Sequence, residues 1–449
     1  MTKLLNLTLV FLTFSPCLLW AETMSLEEWW KGKGAAGDLF VVRPTLEDRG
    51  LAFSGHWGGI YAGVIDGGVQ RRGAFVEQVR FELEVDFAKL TGWEALEGLT
   101  GYASTRWRDG VLINPFVGST SLFSPVTYRS GQGWRIMPFF LTYTTPELFG
   151  IKELLTISGG WQNPYEDIFA VQPEAKFFRN NGINANKGIS ANDIEWSSSY
   201  AAWGGYLKVK PTEWYYAMAG LYMAIPDGAV TGNHGLDFAG SPGNNGLWFI
   251  GETGLTPKLG SAKLPGKYVF GGYYWSLEAE SFNGARYPGR FGFYWQAAQM
   301  LWREPLPAAA EEKSGEAKSF KPTRVEAKPK LSDQGLRWFS WFHYAPSYTG
   351  LRPFYFSTGL IYKGLIPTRD EDQLGVAFAY GNFSEFNQDN QAAANRPVQT
   401  YEAGLEFDYR IQLNKWALVQ PFVQYIIRPG GAGLVDNATV LGMYFRVAF

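Results

Sequence analysis

The last residues of the chain alternate between apolar and mixed side chains with a period of two. In "ATVLGMYFRVAF", Leu441, Phe445 and Phe449 share one face, whereas Gly442 and Arg446 share the other. This alternation is typical of a β-strand. Because one face is apolar and the strand stops at the chain terminus, the pattern fits either a soluble sheet or a sheet that faces lipid.

The clearest alternation lies in the segment "AFVEQVRFELEVDF". Phe81 and Leu83 share one face, whereas Arg80, Glu82 and Glu84 share the other. A single strand of this kind also fits a soluble β-sandwich, whose polar face lies in water. The same opposition recurs in "TYEAGLEFDYRIQ" and "LTGYASTRWRDG". Acids and arginines thus repeatedly oppose faces rich in Phe, Tyr and Trp, which favours an aromatic-girdled membrane barrel with a polar interior.

Sixteen alternating or aromatic-rich segments, each bounded by turn residues, follow one another along the chain. Since an even number suits closure, the sequence predicts an all-β fold, a transmembrane 16-stranded antiparallel β-barrel over residues 51–449. The expected strands begin near Leu51, Ala74, Gly98, Trp134, Glu153, Ser198, Glu213, Gly246, Gly266, Tyr287, Gly335, Arg352, Gln373, Thr400, Lys415 and Ala438.

The connections between these segments alternate between short and long. Short turns include "LNKW" and "KPTE", and long links include "GNFSEFNQDNQAAANRPVQT". If the last strand ends in the periplasm, the short turns are periplasmic and the long links are external. The exception is residues 303–334, a low-complexity stretch rich in Ala, Glu, Lys and Pro. We expect it to be a solvated insertion in a periplasmic turn.

The first 21 residues have the features of a secretory signal peptide. Lys3 precedes an apolar stretch that ends at Phe14, and the small residue Ala21 precedes Glu22. The apolar stretch is too short for a comfortable membrane span, and no later segment offers the ~18 consecutive apolar residues that a transmembrane helix needs. The sequence therefore predicts an exported mature chain without a transmembrane helix.

Residues 22–50 precede the first expected strand and have a different pattern. Ser25 with Glu28 three residues later fits a helix start. Pro44 fits an early helical position, and Gly50 fits a helix stop. We expect an N-terminal periplasmic segment with short helices, whose role as plug, docking surface or linker is left open.

Composition narrows the classes of function. The net charge of −2 argues against a nucleic-acid partner, which would require a basic face. The only cysteine, Cys17, lies inside the expected signal peptide, so the mature protein has no disulfide. The aromatic content of 17% and the 53 glycines fit many short strands and turns.

A barrel of this size needs an obstruction if it is to select its solutes. Sixteen strands enclose an interior too wide to be filled by wall side chains, and a wide pore selects by what lines or obstructs it. The best candidate is the link at 163–197, which carries Phe169, Phe177, Phe178 and Arg179. Because three aromatics are costly to leave in water, we expect this link to fold into the lumen as a constricting loop. The alternative is an ordinary external loop.

Catalytic chemistry finds no support in the sequence. The carboxylates are scattered over many strands, and no pair is singled out by its spacing. The histidines are His56, His234 and His343, which lack metal-ligand spacing, and no serine lies in a nucleophile elbow. We therefore predict no catalytic residue, no metal site and no cofactor in a protein that is not an enzyme.

Three separated blocks resemble the carbohydrate-selective outer-membrane porin family of the OprB type. They are "VIDGGVQRRGAFVEQVRFELEVDFAKL", "IYKGLIPTRDEDQLGVAFAYGNFS" and "LVQPFVQYIIRPGGAGLVDNATVLGMYFRVAF". The resemblance implies a sixteen-stranded outer-membrane porin that passes neutral sugars such as glucose by facilitated diffusion. A terminal phenylalanine also resembles the signal read by the barrel assembly machinery, so Phe449 is the expected assembly signal. The insertion at 303–334 departs from the family pattern.

A channel that favours sugars should offer charged groups to the hydroxyls and aromatic rings to the apolar sugar faces. Trp134 and Arg135 are adjacent, so only one of them can face inward unless a bulge intervenes. For each candidate the alternative is a solvated wall position without solute contact. The candidate lumen residues are Arg80, Glu82, Arg106, Arg108, Trp134, Arg135, Glu402, Asp408 and Arg410.

The expected partners are carbohydrate solutes, outer-membrane lipid and the assembly machinery, and the expected location is the outer membrane of a Gram-negative bacterium. A general or ion-selective porin without sugar preference is the main alternative function. Adhesion or envelope anchoring is a third. The preferred sugar, the pore radius and the choice between monomer and homotrimer stay open, because a symmetric interface leaves no readable period.

Overall fold

The computed structural model describes residues 25–37, 42–128, 133–165, 167–192, 201–224, 231–239, 246–305 and 332–449. The predicted signal peptide and most of the 303–334 insertion lie outside these residues. Sixteen long strands form the described fold. They are β1 (Leu51–Asp66), β2 (Gly73–Asp86), β3 (Leu99–Gly110), β4 (Gly133–Thr144), β5 (Leu155–Gln162), β6 (Ala202–Thr212), β7 (Tyr215–Ala224), β8 (Gly246–Leu255), β9 (Leu264–Trp275), β10 (Arg290–Arg303), β11 (Gly335–Tyr344), β12 (Phe354–Lys363), β13 (Gln373–Asn382), β14 (Tyr401–Gln412), β15 (Ala417–Ile427) and β16 (Ala438–Ala448).

The helices are short and lie between the strands or before the first one. No helix in the described part of the chain is long and apolar enough to cross a membrane. The α-helices are α1 (Leu26–Lys31), α2 (Val42–Asp48), α3 (Phe87–Thr91), α4 (Asn114–Val117), α5 (Lys187–Asn192) and α6 (Glu385–Ala393). Single 3-10 turns lie at Glu94–Leu96, Ser121–Phe123, Ala175–Phe177 and Thr231–Asn233, and two-residue strands lie at Glu147–Leu148, Ile151–Lys152, Lys258–Leu259, Ala279–Glu280 and Arg286–Tyr287.

Each strand pairs antiparallel with its neighbours in sequence, and the last strand closes onto the first. The pairing of β1 with β16 runs from His56 opposite Ala448 to Asp66 opposite Thr439. The terminal residue continues this ladder, because the Phe449 N–H donates to the Gly55 carbonyl at 2.9 Å and the Gly55 N–H donates to the Phe449 carbonyl at 3.1 Å. Closure leaves no unpaired edge among the sixteen strands, and the predicted 16-stranded barrel is confirmed.

The strands begin close to where the alternation predicts. Leu51, Gly246, Gly335, Gln373 and Ala438 are the first residues of their strands, as expected. The largest difference is at β6, which was expected near Ser198, outside the described residues, and begins at Ala202. Turn residues mark the chain reversals well, whereas the end of a pairing ladder depends on the partner strand.

The two faces of the barrel wall differ in the way that a membrane barrel requires. Outward positions carry large apolar side chains, and Phe81 on this face is 52% exposed. Inward positions carry polar side chains that are buried, such as Gln420 and Gln424. A soluble protein has the opposite arrangement, so the wall suits hydrocarbon outside and polar groups inside.

The two ends of the barrel differ in their connections. Short connections join the strands at one end, which we call the turn end, and it also holds the N-terminal segment and Phe449. The other end, the loop end, carries most of the long connections. Apart from residues 304–334 between β10 and β11, the turn-end connections are 87–98, 145–154, 213–214, 256–263, 364–372 and 413–416.

The N-terminal segment contains two short helices, as expected, and packs against the turn end. The ring of Trp29 in α1 lies 4.8 Å from that of Trp416, between centroids. The Ala35 N–H donates to the Ala448 carbonyl at 2.8 Å. The segment therefore covers the point where β16 meets β1.

Candidate channel constriction

Two long connections from the loop end fold into the barrel interior. Of the predicted constricting link at 163–197, residues 163–165 and 167–192 are described, and we call them the constriction loop. Residues 111–128 form the supporting loop. In the constriction loop, the Ala170 N–H donates to Glu252 of β8 at 2.8 Å, and the Asn180 side chain donates to Gln424 of β15 at 2.9 Å. Because β8 and β15 lie on opposite sides of a sixteen-stranded circuit, the constriction loop must cross the interior.

The three phenylalanines that the sequence singled out in this loop are buried. The ring of Phe169 packs near those of Tyr206 and Tyr222, at 6.2 and 6.4 Å. Phe177 and Phe178 pack against each other edge to face at 5.0 Å. Burying a phenylalanine stabilises the folded state by about 1.5–3 kcal/mol, so these rings favour an inward position. Their role in narrowing the pore stays a prediction.

Arg179, the fourth predicted residue of the loop, holds the loop together. Its guanidinium donates to the Phe177 carbonyl at 2.9 Å and lies 4.5 Å from the ring centroid of Tyr444. Its backbone N–H donates to Glu406 at 2.6 Å. The side chain is buried, so its contacts are with the loop and the barrel wall.

Three of the predicted lumen charges lie behind these loops. Glu402, Asp408 and Arg410 have the inward register that the alternation indicates, but the loops cover them and the two carboxylates are fully buried. Asp408 accepts from Gln420 at 2.6 Å, and Arg410 lies 4.5 Å from the ring centroid of Phe177. They contact protein where the sequence led us to expect solute, because face alone does not reveal what covers a side chain.

Glu402 lies at the centre of a buried charge cluster. It accepts the N–H groups of Thr120 and Gly430, both at 3.0 Å. Its other oxygen accepts the hydroxyl of Thr120 and the guanidinium of Arg352, which lies 3.1 Å away. Burial lowers the pKa of Arg352, and the charge of Glu402 opposes that shift. The cluster joins the supporting loop to the wall and to two neighbouring connections.

Three of the predicted arginines form one row across adjacent strands. Arg80 of β2 lies opposite Arg106 of β3, which lies opposite Arg135 of β4. Arg108, the next inward residue of β3, donates to Gln78 at 2.7 Å. Asp167 of the constriction loop lies within electrostatic reach of Arg80 and Arg106. Asp167 also pairs with Lys176 of the same loop at 3.9 Å. The positive strip on the wall therefore lies near an acid of the loop that is itself paired.

Arg80 also belongs to a polar cluster that is open to the interior. Its guanidinium donates to the Tyr102 hydroxyl at 2.7 Å, and that hydroxyl donates to Glu82 at 2.6 Å. Arg80 and Glu82 are 3.1 Å apart, and their side chains are 23% and 26% exposed. This cluster brings together a cation, a carboxylate and a hydroxyl, and the two charged side chains are partly exposed.

A bulge in β4 decides which aromatic ring faces inward. Trp134 lies opposite Trp107 on the outer face and is 46% exposed, so the structure removes Trp134 from the lumen. Between Ile136 and Phe139 the register shifts by one residue, and Phe140 then lies opposite Tyr102 on the inner face. The rings of Phe140 and Tyr102 are 5.3 Å apart. Phe140 is the aromatic neighbour of the polar cluster.

Glu252 and Arg352 were missed by the sequence reasoning, whereas Glu406 lies on the polar face of the segment "TYEAGLEFDYRIQ" but was assigned no role. Glu252 accepts from Ala170, Tyr216 and Tyr294, and Glu406 accepts from Arg179 and Asn180. A lone acid within "LWFIGETGL" was a signal that could have found Glu252. Arg352 lies in a connection, where no alternation applies. Arg352 therefore could not have been found from periodicity.

The histidines do not form a site. His343 is buried, lies 2.9 Å from the Tyr273 hydroxyl and 3.4 Å from the Asn192 side chain, and packs α5 against the wall. His56 lies 3.3 Å from the Gln78 side chain. Within the described ranges, no group of three or more His, Cys, Asp or Glu residues could hold a metal ion.

Comparisons with known proteins agree with this architecture. Residues 71–449 match the family model "Carbohydrate-selective porin, OprB family". Porin B of Pseudomonas aeruginosa is 24% identical over 93% of this chain and 91% of its own, and the putative porin QuiX of Acinetobacter baylyi is 22% identical over 92% of each. The high-pH structure of Pseudomonas putida OprB superposes with a TM-score of 0.79 at 22% identity, over 93% of this chain and 99% of that one. The protein is therefore an outer-membrane channel and not an enzyme, and it belongs to the OprB family of carbohydrate-selective porins.

Proposed function

We propose that this chain lets neutral sugars such as glucose cross the outer membrane of a Gram-negative bacterium by facilitated diffusion. The observation that carries the proposal is the open cluster of Arg80, Glu82 and Tyr102 with the ring of Phe140 beside it. A sugar presents hydroxyls around its rim and C–H groups on its faces. The cluster offers donors and acceptors to the former, and the ring offers an apolar surface to the latter.

The charges around the cluster support selectivity for a neutral polar solute. Arg80 and Arg106 of the wall lie within electrostatic reach of Asp167 of the constriction loop, which also pairs with Lys176 at 3.9 Å, so opposite charges come from the wall and from the loop. A sugar hydroxyl both donates and accepts, so one molecule can interact with both sides. At this cluster a solute must also leave readily, and a neutral sugar binds these groups less strongly than an ion does.

The orientation that we propose places the turn end in the periplasm and the loop end outside. Residues 1–21 would then be a cleaved signal peptide, and residues 22–50 a periplasmic segment. The 303–334 insertion would be a solvated periplasmic turn. Phe449 would be read by the barrel assembly machinery, and the apolar outer wall would contact outer-membrane lipid. Monomer and homotrimer are both compatible with this arrangement.

Liposome swelling and planar-bilayer recording with the purified channel test the proposal together. We expect glucose to enter liposomes faster than a non-sugar polyol of similar size, and to block the ion current in a concentration-dependent way. Ion currents that glucose leaves unchanged, together with swelling rates set by size alone, would instead establish a general diffusion porin. Recording with glucose on one side at a time checks whether access differs between the two ends.

A further inference from the structure

A cavity of about 690 Å³ lies in the barrel on the turn-end side of the constriction loop. Its walls are β4 to β9, and Ile168 and Val171 of the constriction loop also line it. Residues of the turns, such as Glu153 and Glu213, form its mouth. Small-molecule sites occupy roughly 300–1,000 Å³, so this turn-end chamber can hold a monosaccharide.

The charges in the turn-end chamber are not equally available to a solute. Of its acids, Glu252 accepts hydrogen bonds at both oxygens, from Tyr216 at 2.6 Å and from Ala170 and Tyr294 at 2.8 Å. Glu153 pairs with Lys210 at 3.5 Å. Glu213 is exposed in the two-residue turn between β6 and β7. The acids are thus buried, paired or at the mouth.

Two lysines of the chamber differ from these acids in their contacts. Lys208 faces inward opposite Thr156 and Met218, and its ammonium lies 4.7 Å from the ring centroid of Tyr216. Lys267 donates to the Val171 carbonyl at 3.1 Å. Among the described residues neither ammonium has a carboxylate within ion-pair distance, and the two lie within electrostatic reach of each other. Two ammonium groups and the hydrogen-bonded carboxylate of Glu252 therefore line the inner chamber, which leaves a net positive charge there.

We propose that the turn-end chamber is a binding subsite for an anionic monosaccharide, with the carboxylate or phosphate held by Lys208 and Lys267. An ammonium is a suitable point charge for both anions. The hydroxyls of Thr144 and Thr156, 3.1 Å apart on the same wall, are placed to meet sugar hydroxyls. This inference rests on the proposed function as a sugar channel, and it extends the solutes from neutral to acidic sugars.

Glucose and glucuronate are the matched probes, because glucuronate carries a carboxylate that glucose lacks. Current block by each is recorded at constant ionic strength for the full-length channel and for Lys208→Gln, Lys267→Gln and the double variant. We expect glucuronate to need an about tenfold higher concentration for half-block in the double variant, with glucose block unchanged. Lys258→Gln, a turn-end lysine outside the chamber lining, is the matched control.

The possible results separate the two proposals. Block by glucose but not by glucuronate in the unmodified channel would overturn the anionic subsite and leave the sugar channel standing. If neither sugar blocks the ion current, both the proposed sugar channel and the anionic subsite are wrong. An equal loss of block by both sugars in the double variant would also contradict the subsite. If that variant does not assemble, raising the salt concentration in the unmodified channel should weaken block by glucuronate only; block by glucuronate that salt leaves unchanged would overturn the subsite.

Discussion

Glu406 of β14 accepts the backbone N–H of Arg179 at 2.6 Å, and its second oxygen accepts the N–H of Asn180 at 2.7 Å. A wall carboxylate thus holds two consecutive N–H groups at the inner part of the constriction loop. Glu252 does the same for Ala170 from the other side of the barrel. The position of the loop depends on these two acids as well as on its buried phenylalanines.

Replacing Glu406 should loosen the constriction loop. Each hydrogen bond to a charged group stabilises by about 1.5–3 kcal/mol, and Ala leaves both N–H groups unsatisfied. We expect Glu406→Ala to raise single-channel conductance and current noise, and Glu406→Gln, which keeps one acceptor, to have a smaller effect. Glu84→Gln on the open inward face of β2 is the control. Unchanged conductance in Glu406→Ala would show that the loop is held without this contact.

Removing Arg80 should weaken sugar binding more than ion conduction. Arg80→Ala deletes a charged donor from the open cluster, which at about 1.5 kcal/mol corresponds to an about tenfold higher glucose concentration for half-block. Arg106→Ala should have a smaller effect, because Arg106 is buried. Arg71→Ala, at the loop-end surface, is the matched control. If glucose blocks the Arg80→Ala variant as strongly as it blocks the unmodified channel, Arg80 does not contact the sugar.

Phe140 and Trp134 provide a contrast between the two faces of one strand. Phe140→Leu removes the inward ring beside Tyr102, and we expect weaker glucose block by several fold. Trp134→Leu changes the outer face and should leave block unchanged. The same bilayer titration measures both variants. A loss of block in Trp134→Leu with none in Phe140→Leu would contradict the inward assignment of Phe140.

Breaking the Arg352–Glu402 pair should lower the stability of the barrel. Removing one partner of a buried ion pair leaves an uncompensated charge, at a cost of about 3–5 kcal/mol. We therefore expect Arg352→Met to unfold at a lower temperature, and the double variant Arg352→Met with Glu402→Gln to recover part of the loss. Heat-dependent migration in SDS gels measures this change. No recovery in the double variant would mean that the charge is not the cause.

Deleting Phe449 should impair assembly more than sugar selectivity. Phe449 extends the β1–β16 ladder by two hydrogen bonds with Gly55. We expect fewer folded barrels in the outer membrane, and normal glucose block in those that form. Phe449→Tyr keeps an aromatic terminus and serves as the control. Normal insertion of the deletion variant would count against a role in assembly.

Two features of the site show why the sequence could predict only part of it. The alternation places Arg80, Arg106 and Arg135 on one face, and antiparallel pairing of consecutive strands brings them into one row. Trp134 faces outward because its neighbour Arg135 faces inward opposite Arg106, and alternation allows only one of the two to do so. The bulge that follows in β4 turns Phe140 inward, and a strand of ordinary composition does not reveal a bulge. Glu402 and Asp408 face inward as expected, but loops from distant parts of the chain cover them.

The period of two, the even number of segments and the alternating turn lengths determine a closed barrel with a polar interior, because each follows from local backbone geometry and from the difference between lipid and water. The sequence also indicates which long link carries costly aromatics. Only the tertiary structure decides which charges stay open. Glu252 and Glu406 bind the constriction loop through contacts between residues 82 to 227 positions apart, and no local pattern encodes such contacts.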